Sequence, residues 1–403
     1  MPAGLFSQLS LLSKRHYRST MRHSLLHSVS QSQLHSLLGL RHISSLRVPW
    51  RKDPALDAAI DRDKRHDLCH RVVREVLHEP NKCISLRYLE KRRERLRLNL
   101  RVRTFLDWYP NLLEVYSDRI KPNSSPVPFL RPSQSLLSFL SRESEIRSRN
   151  EPLVLAKLCK LLMISKDRAI PVEKILEVRR LFGFPEDLVS SLVPRYPELV
   201  RESNGHIHLV SWNESFAKSV IEQRADEESE VIGVRVRPNF SLKLPKGFNL
   251  KKEMREWVRD WLELPYVSPY SDASELSTAS REMEKRNIAI LHEFLSLTIQ
   301  KRAPVPTIGK FCSEFRLSNA FSNAFTRHPG IFYVSLKGGI KTAMLREAYG
   351  GDGVLLERDP LLEVMERFAE LADEGHREYV DGLKRDKQVL PRHIQMEKEI
   401  DRC

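Results

Sequence analysis

Three stretches of the chain share one arrangement of apolar and polar positions. In each stretch an apolar residue stands three positions before a Tyr or His, a proline follows directly, and two apolar residues come after one further position. The three stretches are residues 106–113, 193–200 and 325–332. Such a repeat indicates that one supersecondary unit is used more than once.

The residues around each proline predict the shape of this unit. Before the proline, apolar positions recur at helical spacing in two runs, as with Leu188 and Leu192 in the second copy. Proline forces the preceding residue out of helical geometry, so the second helix should end there. An extended apolar run follows, and in the third copy Gly338 and Gly339 predict a hairpin turn. The unit is therefore helix, turn, helix and then a strand or hairpin, which resembles a winged helix.

These patterns predict a mainly α fold with short β-hairpins (α+β), built from tandem helix-turn-helix or winged-helix-like units. The units cover about residues 84–118, 170–210 and 305–347, with an inserted segment at 231–300 and a charged C-terminal tail at 382–403. Within the inserted segment, residues 231–236 alternate between apolar and polar like a strand. Residues 96–103 alternate as well, but their neighbours are strong helix formers, so we interpret them as helix.

The first 52 residues have a composition of their own. They contain eight Lys and Arg and no Asp or Glu, are rich in Ser, and place Leu5, Phe6, Leu9 and Leu12 on one side of a predicted helix. This combination is typical of an organelle transit peptide. We expect import into the mitochondrion, because arginines occur early, with the chloroplast as the alternative. A nucleic-acid-binding arm is the competing interpretation, but it would leave the apolar face unused.

Composition excludes several classes of protein. The chain has 403 residues, of which 41% are hydrophobic and 30% charged, so it can bury a sizeable core. It contains no run of about 18 uncharged apolar residues, and we predict no membrane insertion. Five scattered cysteines without a Cys-x-x-Cys pair favour a reducing compartment over a disulfide framework. Cys69 lies near His66 and His70, but this spacing matches no zinc finger, and we predict no metal.

The sequence motifs that would carry catalysis are incomplete. Residues 335–342 superficially resemble a phosphate-binding loop, but Ile340 precedes Lys341 where such a loop needs glycine. The pair His292-Glu293 lacks the second histidine of a zinc protease, because Ser296 stands at that position. No Gly-x-Ser-x-Gly nucleophile elbow is present either. We therefore expect no enzyme, no cofactor and no small-molecule substrate.

A dense basic cluster is the strongest chemical signal in the sequence. The formal net charge is +14, and removal of residues 1–52 would leave +6. Eight bases are opposed only by Glu90 and Glu94 within one short stretch: Arg87, Lys91, Arg92, Arg93, Arg95, Arg97, Arg101 and Arg103. Such a dense cluster of basic residues can bind the phosphate backbone of a nucleic acid. A charged helix face that only contacts solvent explains the cluster equally well. Trp108 and Tyr109 follow, and their place in the repeat favours a core role over base stacking.

Several longer motifs resemble a known family. They are Leu-Phe-Gly-Phe-Pro at 181–185, Tyr-Pro at 196–197, Leu-Lys-Leu-Pro-Lys-Gly at 242–247, Leu-Pro-Tyr-Val-Ser-Pro-Tyr at 264–270, Arg-His-Pro-Gly-Ile-Phe-Tyr-Val-Ser at 327–335 and Leu-Arg-Glu-Ala-Tyr at 345–349. In this order they are similar to the plant organelle RNA recognition (PORR) domain, over about residues 60–375. The resemblance implies a land-plant organellar protein that binds intron RNA, usually of group II, and promotes splicing without catalysing the chemistry.

Together with this resemblance, the sequence predicts an organellar RNA-binding protein that acts in mRNA processing. The resemblance implies intron RNA as the partner of the basic cluster and other splicing factors as further partners. Two alternatives stay open. One is an organellar DNA-binding or transcription factor, because helix-turn-helix units commonly enter a major groove. The other is a non-catalytic protein-interaction scaffold whose basic helix meets an acidic partner.

Overall fold

The computed structural model describes residues 51–244 and 252–400, without the side chains of residues 63–65 and 386–400. The predicted transit peptide, apart from its last two residues, lies outside the described residues. The first described element is a long helix, α1 (Pro54–Leu77). Asp53 caps it, because one carboxylate oxygen accepts a hydrogen bond from the backbone N–H of Leu56 at 3.4 Å.

Three small antiparallel sheets organise the described residues, and all three have the same strand order. In each sheet the first strand of a unit pairs with the third strand, which also pairs with the second. The first unit consists of β1 (Ile84–Ser85), α2 (Leu86–Lys91), α3 (Val102–Trp108), β2 (Leu113–Asp118) and β3 (Val127–Pro132). Leu130 of β3 lies opposite both Ile84 and Val115.

Two helices, α4 (Gln134–Arg149) and α5 (Glu151–Ile164), lead from the first unit to the second. The second unit consists of β4 (Ala169–Pro171), α6 (Val172–Phe182), a π-helical turn (Leu188–Leu192), α7 (Val193–Arg195), β5 (Val200–Ser203) and β6 (His206–Leu209). Helix α8 (Val220–Ile232) follows and ends at the beginning of the inserted segment, which contains α9 (Lys252–Glu263) and α10 (Arg281–Leu297). Helix α10 is buried along nearly its whole length, so it forms the centre of this part of the molecule.

The third unit repeats the layout of the first two. It consists of β7 (Arg302–Pro304), α11 (Val305–Gly309), α12 (Asn323–Arg327), β8 (Phe332–Ser335) and β9 (Thr342–Leu345), and a final helix, α13 (Leu362–Ile400), follows it. The predicted fold class, mainly α with short β-hairpins, is confirmed. The predicted charged tail at 382–403 overlaps the end of α13 and stays a prediction as a separate segment.

The proline of each repeat stops the second helix as predicted. Helices α3, α7 and α12 end at Trp108, Arg195 and Arg327, directly before the Tyr or His that precedes the proline. Those three residues share one backbone conformation, with φ between −114° and −133° and ψ between 55° and 62°. The local constraint of proline on its neighbour therefore produces the same chain reversal three times.

The turn between the two helices of each unit is also repeated. The residue at its end has a left-handed conformation in all three units, with φ of 51° at Arg97, 81° at Gly183 and 55° at Arg316. The next residue donates its backbone N–H to the carbonyl oxygen five positions earlier, at 2.8 to 3.0 Å, and its side chain is buried. This is the usual way for a helix to end at glycine, yet two units carry arginine there.

The sequence predicts a helix over residues 96–103, but because of this turn only Val102 and Arg103 are helical, and the prediction is wrong for residues 96–101. Residues 92–97 form the turn, and the chain runs without regular structure until Val102 begins α3. Leu96 and Leu98 are 5% and 3% exposed, so they enter the core on either side of Arg97. The alternation of apolar and polar residues therefore reflects a loop anchored by leucines.

The strand predicted for residues 231–236 is also wrong. Helix α8 begins at a capping box between Ser219 and Glu222 and continues through Ile232. Gly233, with φ of 74°, ends it by donating its backbone N–H to the Ser229 carbonyl at 2.9 Å. Within the described ranges the following residues pair with no strand, and Val231 is 87% exposed.

Helices α1 and α13 join the units through shared cores. Val72 and Val76 of α1 and Phe368 of α13 pack into the core of the first unit. The beginning of α1 packs on the third unit, where Leu56 contacts a cluster that includes Tyr333. None of the helices in the part of the chain that the structure describes combines the length and apolar character needed to span a bilayer.

Two groups of buried charges connect separate elements. Lys157 of α5 forms an ion pair with Asp359 before α13, and both side chains are about 5% exposed or less. Glu347, after β9, accepts hydrogen bonds from Arg224 of α8 at 3.0 Å and pairs with His292 of α10 at 2.8 Å. Each pair is far apart in sequence, so each fixes tertiary contacts that no local pattern specifies.

Candidate nucleic-acid interface

The basic stretch lies on α2, the turn after it and the beginning of α3. Ser85 caps α2 by accepting a hydrogen bond from the backbone N–H of Tyr88 at 3.3 Å. Leu89 is fully buried, which fixes the inner face of α2 and turns Arg87 and Lys91 outward. Val102 does the same for α3, so that Arg101 and Arg103 on either side of it are exposed.

Three of the eight predicted bases are held by carboxylates. Arg92 binds Glu75 of α1 at 2.5 Å, and it also binds Glu79, which lies two residues after the end of α1. Arg95 forms an ion pair with the same Glu75. Contact with Tyr88 and the hydrogen bonds that Arg92 donates to these two glutamates raise the pKa of Arg92 above its ordinary value. The charge of these bases is therefore largely neutralised by α1.

Glu90 is the partner of the third paired base, and it has a second role. One of its carboxylate oxygens binds Arg93 at 2.9 Å, and the other accepts the backbone N–H of Val102 at 2.8 Å. Because that N–H is otherwise unsatisfied at the start of α3, Glu90 ties the two helices of the unit together. Its negative charge is therefore already used within the protein.

The other five bases form no ion pair with any described residue. We call them the free-base cluster: Arg87, Lys91, Arg97, Arg101 and Arg103. All five side chains are exposed. Four of them, all except Arg97, line one shallow cavity of about 440 Å³ together with Leu86, Glu90 and Pro128 of β3. Both helices and the hairpin of the first unit thus contribute to one positively charged surface.

In the second and third units, the basic residue at the end of the second helix is bound by a carboxylate. The last residue of α7, Arg195, pairs with Glu151 at 2.7 Å. The last residue of α12, Arg327, pairs with Glu284 at 3.5 Å. The repeated backbone therefore carries different side-chain chemistry in the three units. Exposed basic residues without an ion pair to any described residue also occur singly in the second and third units, as with Arg201 and Arg316, but they are gathered into one cluster in the first unit.

A larger cavity lies between α1, α6 and α13, with a volume of about 650 Å³. Its arginines have partners, because Arg180 binds Asp67 at 3.0 Å and Arg358 binds Glu366. Positive charge that is neutralised in this way attracts phosphate much less than unpaired bases do. The free-base cluster is therefore the better candidate for a nucleic-acid interface.

The aromatic residues after the cluster have the core role that their position indicated. Tyr109 is 3% exposed, and its ring stacks on His376 of α13 at 5.6 Å. Trp108 contacts the same histidine edge-on at 6.0 Å. The sequence interpretation missed a different aromatic residue, Tyr88, which is 50% exposed within the basic stretch. Its spacing of three and four residues from Lys91 and Arg92 was the available signal.

The segment that resembles a phosphate-binding loop is a hairpin connection. Gly338 and Gly339 have φ of 82° and 80° between β8 and β9, which only glycine adopts easily. Lys337 beside them is bound to Asp61 of α1 at 2.8 Å. In the described ranges, no group of His, Cys, Asp and Glu side chains is arranged to hold a metal ion.

Comparison with known proteins gives a consistent match. The family model for the plant organelle RNA recognition domain matches residues 51–377. The Arabidopsis thaliana protein WHAT'S THIS FACTOR 1 homolog, chloroplastic, is 33% identical over 337 residues, which are 80% of this chain and 63% of that protein. The Oryza sativa subsp. japonica protein of the same name is 34% identical over 347 residues, 82% of this chain and 66% of that protein.

The name of a further relative refers to the mitochondrion instead of the chloroplast. The Arabidopsis thaliana protein WHAT'S THIS FACTOR 9, mitochondrial, is 27% identical over 346 residues, 80% of this chain and 84% of that protein. The chain thus spans slightly less than two thirds of the length of the two chloroplastic relatives. No solved structure matches the chain significantly.

Proposed function

The chain belongs to the plant organelle RNA recognition domain family, and from this premise we propose that it binds organellar intron RNA and promotes splicing. The RNA is an intron of group II, and the protein does no phosphoryl chemistry itself. Among the described residues, the observation that carries the proposal is the free-base cluster, which places five unpaired positive charges on one winged-helix-like unit.

The cluster supplies the chemistry that RNA binding needs. Exposed arginine and lysine side chains without partners release the counterions of a nucleic acid when they meet its phosphates, which is the main source of affinity. The buried core of the unit and its ties to α1 hold these side chains on a rigid support. A rigid protein surface that favours one folded form of an intron helps the RNA catalyse its own excision.

We place the protein in the mitochondrion, on the composition of residues 1–52, with the chloroplast as the alternative. Relatives named for each organelle support import into one of the two. Fusion of residues 1–52 to a fluorescent protein in plant cells tests this directly. Fluorescence confined to mitochondria supports the proposal, and fluorescence confined to chloroplasts replaces it with the alternative.

A competition experiment tests the function. The purified chain is bound to a labelled organellar group II intron transcript and challenged with three competitors: the same unlabelled transcript, an unrelated RNA of equal length and duplex DNA. We expect the intron to compete best at moderate salt. Equal competition by duplex DNA would favour the DNA-binding alternative, and absence of binding to all three would favour a protein-interaction scaffold.

A further inference from the structure

An exposed aromatic ring lies among the unpaired bases of the first unit. Tyr88 of α2 is 50% exposed, whereas Leu89 beside it is fully buried. Arg87 precedes Tyr88 and Lys91 follows it by three positions, and both are exposed and unpaired among the described residues. Residues three and four apart lie side by side on a helix, so Lys91 lies next to both Tyr88 and Arg87. The ring and two unpaired charges therefore belong to one exposed part of α2.

One face of this ring is supported from within the protein. The guanidinium carbon of Arg92 lies 4.3 Å from the centre of the Tyr88 ring. Arg92 in turn is bound by Glu75 and Glu79, so it cannot easily move away. Half of the Tyr88 side chain is exposed to solvent, and among the described residues no other aromatic ring packs on it. The arrangement holds a flat surface in a fixed place.

We propose that Tyr88 stacks on an unpaired RNA base while Arg87 and Lys91 bind the phosphates on either side of that base. The proposal rests on the RNA-binding function and deepens it, because it names the form of RNA that the free-base cluster accepts. That form is single-stranded RNA, such as a loop, a bulge or a junction strand, in which a base can unstack from the adjacent bases.

The chemistry of the two RNA forms explains this choice. In a duplex every base is paired and stacked on its neighbours, and the deep major groove of A-form RNA admits no side chain. In a single strand the base can turn outward and stack on an aromatic ring, while cationic groups follow the backbone. A tyrosine ring that already packs on a guanidinium group loses little conformational entropy when an RNA base stacks on it, because the ring is already ordered.

Two variants of the full-length chain test the stacking. Tyr88→Ala removes the ring and should weaken binding to a single-stranded RNA roughly five- to a hundredfold. Because no charge is removed, the dependence of affinity on salt should stay the same. Tyr88→Phe keeps the ring and should bind almost as tightly as the wild type. Since Tyr88 is half exposed and packs into none of the described cores, thermal unfolding should show both variants folded.

A base analogue gives a readout that a structural role would not change. A short single-stranded RNA that carries 2-aminopurine should lose fluorescence on binding to the wild type and to Tyr88→Phe, and should keep it with folded Tyr88→Ala. Unchanged affinity and unchanged quenching in Tyr88→Ala would overturn the stacking proposal and leave RNA binding intact. Competition by duplex RNA as strong as that by single-stranded RNA would also overturn it. Failure of the wild type to bind any RNA would instead reject the proposed function.

Discussion

Replacing Arg97 by glycine should leave the fold intact or stabilise it slightly, and should weaken RNA binding. Arg97 has φ of 51°, a left-handed conformation that costs about 1–2 kcal/mol for a residue with a Cβ atom. Glycine removes this cost, but it also gives the unfolded chain roughly 0.4–1 kcal/mol of extra conformational entropy. The two terms leave a net stabilisation of roughly 0–1.6 kcal/mol. The second unit already has Gly183 at this position.

The effect on RNA binding follows from the charge alone. Arg97→Gly removes one member of the free-base cluster, so the slope of log affinity against log salt should become less steep by about 0.7 for a single strand. Arg97→Ala removes the same charge but keeps the backbone strain, so it should bind RNA like Arg97→Gly and be less stable. Arg316→Gly is the matched control, because Arg316 has φ of 55° in the third unit.

Urea unfolding and fluorescence anisotropy with a labelled RNA measure the two effects separately. The control variant Arg316→Gly should show the same change in unfolding free energy without a change in salt slope. A loss of more than about 1 kcal/mol in Arg97→Gly would refute the reasoning about the turn, because it would mean that the arginine side chain itself supports the fold. A salt slope equal to that of the wild type would remove Arg97 from the interface.

Three further predictions follow from the ion pairs. Arg95→Ala should weaken RNA binding less than Arg87→Ala, because a carboxylate already neutralises Arg95; equal losses in anisotropy titrations would contradict the division into paired and free bases. Asp359→Ala should lower the unfolding free energy by about 3–5 kcal/mol, since it leaves Lys157 buried without a partner; a change below about 1 kcal/mol in urea unfolding would contradict this. Burial alone would raise the pKa of Glu347, but hydrogen bonds and charge from its basic partners outweigh burial and lower it from 4.5 to about 2. Because the folded pKa is the lower one, this stabilisation is present above pH 4.5 and is lost as the pH falls towards 2, by up to about 3 kcal/mol. Glu347→Gln should lose less stability over that range, and identical acid unfolding curves would refute the assignment.

The repeat of the fold was predictable because its cause is local. A proline constrains the residue directly before it, so the ends of α3, α7 and α12 could be placed from the sequence alone. The turn at Arg97 was missed, because an arginine at a left-handed position gives no sequence signal of the kind that glycine gives. The alternation at residues 231–236 was misleading for another reason. A strand needs a neighbouring strand, and this pairing depends on tertiary structure.

The basic residues of the candidate site could be predicted from the sequence, but which of them are paired with carboxylates could not. The density of bases between Arg87 and Arg103 is visible in the sequence. Glu75 of α1 binds two of them, Arg92 and Arg95, from seventeen and twenty residues away in sequence. That contact exists only because α1 packs on the first unit. The exposure of Tyr88 likewise depends on which face of α2 the core covers. Neither the contacts of Glu75 nor the exposure of Tyr88 can therefore be predicted without the three-dimensional structure.

The most direct test of the central claim compares two matched pairs of arginines. Arg101 and Arg103 belong to the free-base cluster and are both exposed. Arg235 and Arg237 have the same spacing in the inserted segment; both are exposed as well, and neither forms an ion pair with a described residue. Both double alanine variants remove two positive charges. The salt dependence of RNA affinity should become less steep by about 1.4 when the first pair is replaced and should stay unchanged when the second is replaced. Equal effects of the two pairs, or an effect of the second pair alone, would contradict an interface on the first unit.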